Sequence, residues 1–106
     1  MSLDVYLHVD GKEVYSSNIT HNLNKMAAVA GIYQALWRPE ELNIELAGDL
    51  IPLLREGLLK LIESPSTYKE YDSSNGWGIY DHFVPFVCKY LSACYENPTA
   101  VVSISR

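Results

Sequence analysis

A chain of 106 residues that is 48% hydrophobic and 20% charged has the size and composition of one globular domain, and residues 1–106 are expected to share a single core. Eight Lys and Arg against thirteen Asp and Glu leave a net charge of −5; the cations are scattered among acids, which excludes a general nucleic-acid binder with its basic face. No apolar run approaches the ~20 residues of a membrane span, and Met1-Ser2-Leu3-Asp4 opens without a basic stretch or apolar signal region, so the expected setting is the cytoplasm, with no membrane partner.

Residues 3–10 alternate: Leu3, Val5, Leu7 and Val9 share one face, Asp4, Tyr6, His8 and Asp10 the other. That is the pattern of a half-buried strand. Asp10-Gly11 supplies the residues of a tight hairpin turn, and Glu13 to Ile19, with Val14 and Tyr15, should return antiparallel. Thr20 or Asn22 can cap the next segment. Leu23 to Leu36 reads as a helix with Leu23, Met26, Ala27, Ala30, Tyr33 and Trp37 at helical spacing. Gly31 costs that helix about 1 kcal/mol and is the place for it to break. Pro39-Glu40-Glu41 resembles a first helical turn, with proline at its first position and acids at the positive end of the dipole.

From Ala47 to Glu63 the set Leu50, Leu53, Leu54, Leu58, Leu61 and Ile62 traces a broad helical stripe. Pro52 lies either in its first turn or at a kink. Ser64-Pro65-Ser66 ends that helix, and residues 65–78 read as one irregular segment closing on Asn75-Gly76-Trp77-Gly78. Tyr80, Phe83, Val84, Val87, Leu91 and Cys94 form the next stripe, which Asn97-Pro98 terminates. Val101 to Ser105 alternates as a last strand. The order β-β-α-α-α-β predicts an α+β domain: a three-stranded antiparallel sheet, the last strand beside the first, with the helices packed on one face. The other face, with Tyr6, His8 and Tyr15, or a free edge suits a homodimer.

Cys88 and Cys94 are six residues apart on one helix, about 9 Å of rise, and turned away from each other. This excludes a disulfide between them and predicts that both pack as small apolar side chains.

Several segments carry a resemblance: Ile19-Thr20-His21-Asn22-Leu23, Ala35-Leu36-Trp37-Arg38-Pro39-Glu40-Glu41, Asn75-Gly76-Trp77-Gly78, Tyr90-Leu91-Ser92-Ala93-Cys94 and Val102-Ser103-Ile104-Ser105-Arg106. Together they resemble a family of small uncharacterised bacteriophage and prophage proteins. The resemblance covers nearly the whole chain and departs at Pro52, where a better helix former is expected. It implies a phage or prophage setting and the cytoplasm of a bacterial host cell; it brings no activity with it.

The sequence lacks a phosphate-cradling GxxxxGK[ST] loop, a GxGxxG after a strand, a HExxH helix and a GxSxG elbow. His8, His21 and His82 come from a strand, a loop and a helix without ligand spacing, so neither a metal, a cofactor nor a catalytic set is expected. Three features remain. Thr20-His21-Asn22 stands where a strand hands over to a helix; Thr20 or Asn22 there suits a cap, which leaves His21 over. Trp37-Arg38 places an indole beside a guanidinium, a pair that serves as a structural stack or as a seat for a planar anion. In Asn75-Gly76-Trp77-Gly78, leading into Tyr80, two glycines let the backbone turn sharply around one indole.

From these residues the first expectation is a non-catalytic small-ligand binder. His21, Asn22, Trp37, Arg38, Asn75, Trp77 and Tyr80 would supply stacking, one cation and amide hydrogen bonds to a nucleotide-like molecule. In the setting implied by the resemblance, that molecule is a nucleotide-derived host defence signal, such as a cyclic nucleotide or a cyclic ADP-ribose isomer, which the protein would sequester. The alternatives are an inhibitor or accessory factor acting on a host bacterial protein through an exposed patch, and a small nucleotide-acting enzyme with His21 as base and Arg38 on phosphate.

Overall fold

The computed structural model describes residues 2–106. Strand β1 (Ser2–Val9) and strand β2 (Lys12–Thr20) form the expected hairpin. Asp10 and Gly11 both adopt positive φ, 52° and 78°, the left-handed pair that a two-residue turn requires to match the twist of its strands. The register runs Ser2↔Thr20 to Leu7↔Tyr15 and then skips, His8 facing Glu13. Val14 is the extra residue of this bulge and is left 45% exposed. Strand β3 (Val101–Ser105) pairs antiparallel with the other side of β1, giving the order β2-β1-β3.

Alternation then sorts the side chains. Leu3, Val5 and Leu7 are fully buried against the helices. On the opposite face Asp4 and Tyr6 lie between Ser16, Asn18, Ser103 and Ser105, and His8 lies between Glu13 and Val101. Tyr15, expected on that face, pairs with Leu7 and stands on the helix-covered side, because the bulge falls between it and Glu13. The edges differ. The N–H of Val102 donates to the Glu45 carbonyl at 2.9 Å and Leu46 bridges Val101, so part of the β3 edge is covered. The β2 edge carries Lys12, Glu13 and the bulge, devices that discourage pairing with another strand.

The first predicted helix is broken where Gly31 stands. After a 3-10 turn at His21–Leu23, helix α1 spans Asn24–Val29 and helix α2 spans Tyr33–Trp37, with Gly31 at φ 79° between them. Pro39–Leu42 is a 3-10 turn led by its proline, a favoured first helical residue. Helix α3 (Ala47–Glu63) and helix α5 (Tyr80–Glu96) are the two long elements, packed against each other. Each has proline at its sixth position, Pro52 and Pro85. The carbonyls that lose a donor there belong to the half-buried Gly48 and the exposed Asp81, near the start of each helix where the loss is most easily tolerated.

Residues 65–78 are not wholly irregular: Pro65 opens the short helix α4 (Pro65–Lys69). A five-residue helix is too short to show a period, and Pro65, which ends α3, is also a favoured first helical residue. The cysteines need a second correction. Cys94 is buried, and burial pushes its thiol up to about 12. Cys88 is exposed, because its chain neighbours Phe86 and Val87 point inward from a different face of α5. Its own face is that of Pro85, Ser92 and Tyr95, all exposed.

Tyr90 is fully buried and stacks on Tyr15, centroids 6.0 Å apart and planes 10° from parallel. Its hydroxyl has no hydrogen-bond partner among the described residues, and burial raises its pKa far above the ordinary phenol value. An unpaired buried hydroxyl costs about 1–3 kcal/mol. Tyr90→Phe keeps the ring and removes that cost, and is expected to stabilise the fold by about 1 kcal/mol, read as a rise in melting temperature of about 4 °C. A lower melting temperature would mean that the hydroxyl has a partner.

Candidate functional site

The junction between β2 and α1 is where the motifs meet. Thr20 ends its strand in extended geometry, and its Oγ1 accepts from the Asn22 N–H at 3.3 Å, the expected cap. His21, which the cap does not need, has a structural partner: its Nε2 lies 2.7 Å from the Ser2 carbonyl. A carbonyl only accepts, so Nε2 is the donor in this bond. The bond ties the start of β1 to the end of β2. The His21 ring also stands edge-on to the Trp37 indole, centroids 6.2 Å apart at 74°.

Trp37 itself faces inward. It is 2% exposed and lies nearly parallel to Tyr33, one helical turn earlier, at 5.5 Å and 12°. Its carbonyl accepts from Arg106 Nη1 at 2.7 Å, and the same nitrogen reaches Glu40 Oε2 at 2.9 Å. A guanidinium thus caps the last carbonyl of α2 and fastens the end of β3 to it. The Glu40 carboxyl is held below the usual carboxylate range by its own backbone N–H and then by Arg106. Arg38 projects outward, its side chain 41% exposed and 3.6 Å from Glu41. The Tyr33 hydroxyl, then Glu41, hold the Arg38 guanidinium above its ordinary value.

On the other side of the junction, Asn22 Nδ2 donates to the Trp77 carbonyl at 2.9 Å. Asn75 Oδ1 accepts from the Trp77 N–H at 2.9 Å and from Ser73 Oγ at 2.5 Å. The Ser73 N–H closes the loop on the Gly78 carbonyl at 3.0 Å. Gly78, at φ 100°, lies so close to the junction that a Cβ there would stand 2.9 Å from Asn22 Cβ and 3.0 Å from Thr20 Cγ2. Only glycine allows this approach. The Trp77 side chain, by contrast, is 68% exposed. Tyr80 turns inward: its hydroxyl donates to the Leu61 carbonyl at 2.6 Å and its N–H to Asp72 Oδ1 at 2.7 Å. Burial, then Asp81, raise its pKa.

The seven expected residues therefore separate. His21, Trp37 and Tyr80 point into the fold. Asn22, Asn75 and Trp77 form one exposed, hydrogen-bonded loop cluster. Arg38 stands apart beside Tyr33. The strand-to-helix junction joins the two tryptophan motifs, with one indole inside and the other outside. A shallow groove of about 320 Å³ next to Arg38's neighbour is lined by Asn24, Lys25, Ala28 and Tyr33. Lys25, Tyr33 and Arg106 are the residues missing from the sequence-based set. The four-residue spacing of Tyr33 and Trp37 marks their stack; no spacing marks Arg106.

Compared with protein-family models, curated proteins and solved structures, the chain matches none.

Proposed function

We propose that this chain is a non-catalytic accessory protein of phage type that docks on a bacterial host protein, with Trp77 as its anchor. The observation that carries this reading is an indole 68% exposed to solvent on a loop held by Asn22, Ser73 and Asn75. Binding hot spots are enriched in tryptophan, and a loop already fixed by its own hydrogen bonds loses little freedom on association. Exposed Glu70 and Asp81 flank the loop and complement a basic partner surface. The phage setting and the host cytoplasm are supported by the motif resemblance.

The test is affinity capture from bacterial lysate with the full chain and with Trp77→Ala. One stoichiometric protein is expected with the native chain. The substitution should weaken its binding by about thirtyfold, the ~2 kcal/mol of a hot spot, with the melting temperature unchanged. Capture that is indifferent to Trp77, or no partner at all, counts against this reading.

A small-ligand reading has a specific footing of its own. The Lys25–Tyr33 groove places a cation beside an aromatic ring, and the Tyr33 hydroxyl adjoins Arg38, a combination suited to an anionic, planar molecule such as a nucleotide-derived signal. A thermal-shift panel of mononucleotides, cyclic nucleotides and cyclic ADP-ribose isomers separates the two readings. A ligand at a hundred times its Kd stabilises by about 2.7 kcal/mol, and in this reading Arg38→Ala abolishes the shift while Trp77→Ala leaves it.

A further inference from the structure

We propose that α3 is the surface through which two copies of this chain associate, the helices antiparallel about a two-fold axis at Leu59. The outer face of α3 carries two large apolar side chains left in solvent, Leu59 at 58% and Ile62 at 55% exposure. Beside them runs a groove of about 460 Å³ lined by Pro52, Arg55, Glu56, Leu58, Leu59 and Ile62, with Leu91 of α5 at its floor. These six positions on α3 are two consecutive helical holes. Residues 52, 55, 56 and 59 surround one, and residues 55, 58, 59 and 62 surround the next, each the four-residue seat that receives a side chain from a facing helix.

The knobs that fit these holes are on the same helix. With the axis at Leu59, an antiparallel partner helix sets its own Leu59 over the second hole and its own Ile62 over the first. Symmetry repeats both insertions on the other copy, as a two-fold interface requires. Charge selects the same register. Position 55 then faces position 63, so Arg55 of each copy meets Glu63 of the other, and among the described residues neither has an ion-pair partner within its own chain. A parallel arrangement would instead set Arg55 on Arg55 and Glu63 on Glu63. The sheet edges offer less to a second copy: the β3 edge is partly covered by Glu45 and Leu46, and the β2 edge is interrupted by its bulge.

Sedimentation equilibrium of the full chain over a hundredfold range of concentration tests this. The mass should rise from 12.0 kDa towards twice that value. Leu59→Lys, at a position too exposed to matter for folding, should weaken association at least about tenfold with an unchanged circular dichroism spectrum and melting temperature. Arg55→Glu alone should weaken association by setting carboxylate on carboxylate, and the exchange Arg55→Glu with Glu63→Arg should restore it. A chain that stays at 12.0 kDa throughout overturns the proposal and leaves the groove to another protein. Association indifferent to Leu59→Lys overturns the surface, and a charge exchange that fails to restore it overturns the antiparallel register.

Discussion

Trp37→Ala is expected to remove about 4 kcal/mol of stability, the usual cost of emptying a buried aromatic site, and to lower the melting temperature by about 15 °C. Trp37 is 2% exposed, stacks on Tyr33 and receives the edge of His21, so its loss opens a cavity shared by the strand-to-helix junction and by α2. One offset lies in the indole nitrogen, which is buried without a partner among the described residues; deleting it relieves part of the desolvation cost. Trp37→Phe separates these effects. It retains a ring against Tyr33 and removes the unpaired N–H, and should cost about half as much as alanine. Denaturant unfolding of the three proteins measures both differences. Near-native stability of Trp37→Ala would return Trp37 to the ligand-binding residues.

The inward orientation of Trp37 was partly legible in the sequence. It falls at helical spacing with Met26, Ala27, Ala30 and Tyr33, a stripe that is buried apart from the half-exposed Tyr33. Its neighbour Arg38 obscured this, since a Trp-Arg pair reads equally well as an exposed stack. Trp77 shows the reverse: two flanking glycines mark a special backbone, yet nothing local tells whether the indole enters the core. Its exposure is decided by Asn22, 55 residues away in sequence, which takes the Trp77 carbonyl. His21 behaves likewise, its partner being the carbonyl of Ser2. Long-range hydrogen bonds of this kind leave no periodic trace.

The hairpin and the break at Gly31 were readable because each rests on a backbone rule that acts within a few residues: alternation closed by Asp-Gly, and a glycine at positive φ between two helical pieces. The placement of β3 beside β1 followed from the need to bury both apolar faces on one side. The bulge at Val14 was not readable, since Glu13-Val14-Tyr15 alternates acceptably in either register. The exposure of Cys88 follows from its helical face and not from its apolar chain neighbours, since a helix presents residues three and four apart on a common face.

Gly57 is the position where the packing of α3 is most exacting, and its substitution is expected to change sign with its neighbour. A Cβ there would overlap Cγ2 of Ile32 and stand 3.0 Å from Cδ1, and Ile32 is 1% exposed between α1 and α2. Alanine gains about 1 kcal/mol of helix propensity over glycine, but crowding a packed core costs about 1–3 kcal/mol, and the overlap is with a branched side chain that has little room to turn. The expected net loss for Gly57→Ala is about 2 kcal/mol. Ile32→Ala alone opens a cavity and should cost about 3 kcal/mol. In that background the new methyl enters vacated space, so Gly57→Ala should stabilise by about 1 kcal/mol. The double-mutant cycle then yields a coupling of about 3 kcal/mol, at the upper end for residues in contact. Additive effects would mean that α3 can move away from Ile32. Because Leu59 and Ile62 share a rigid helix with Gly57, the distance it enforces on one side of α3 also determines how far those two apolar side chains stand out on the other.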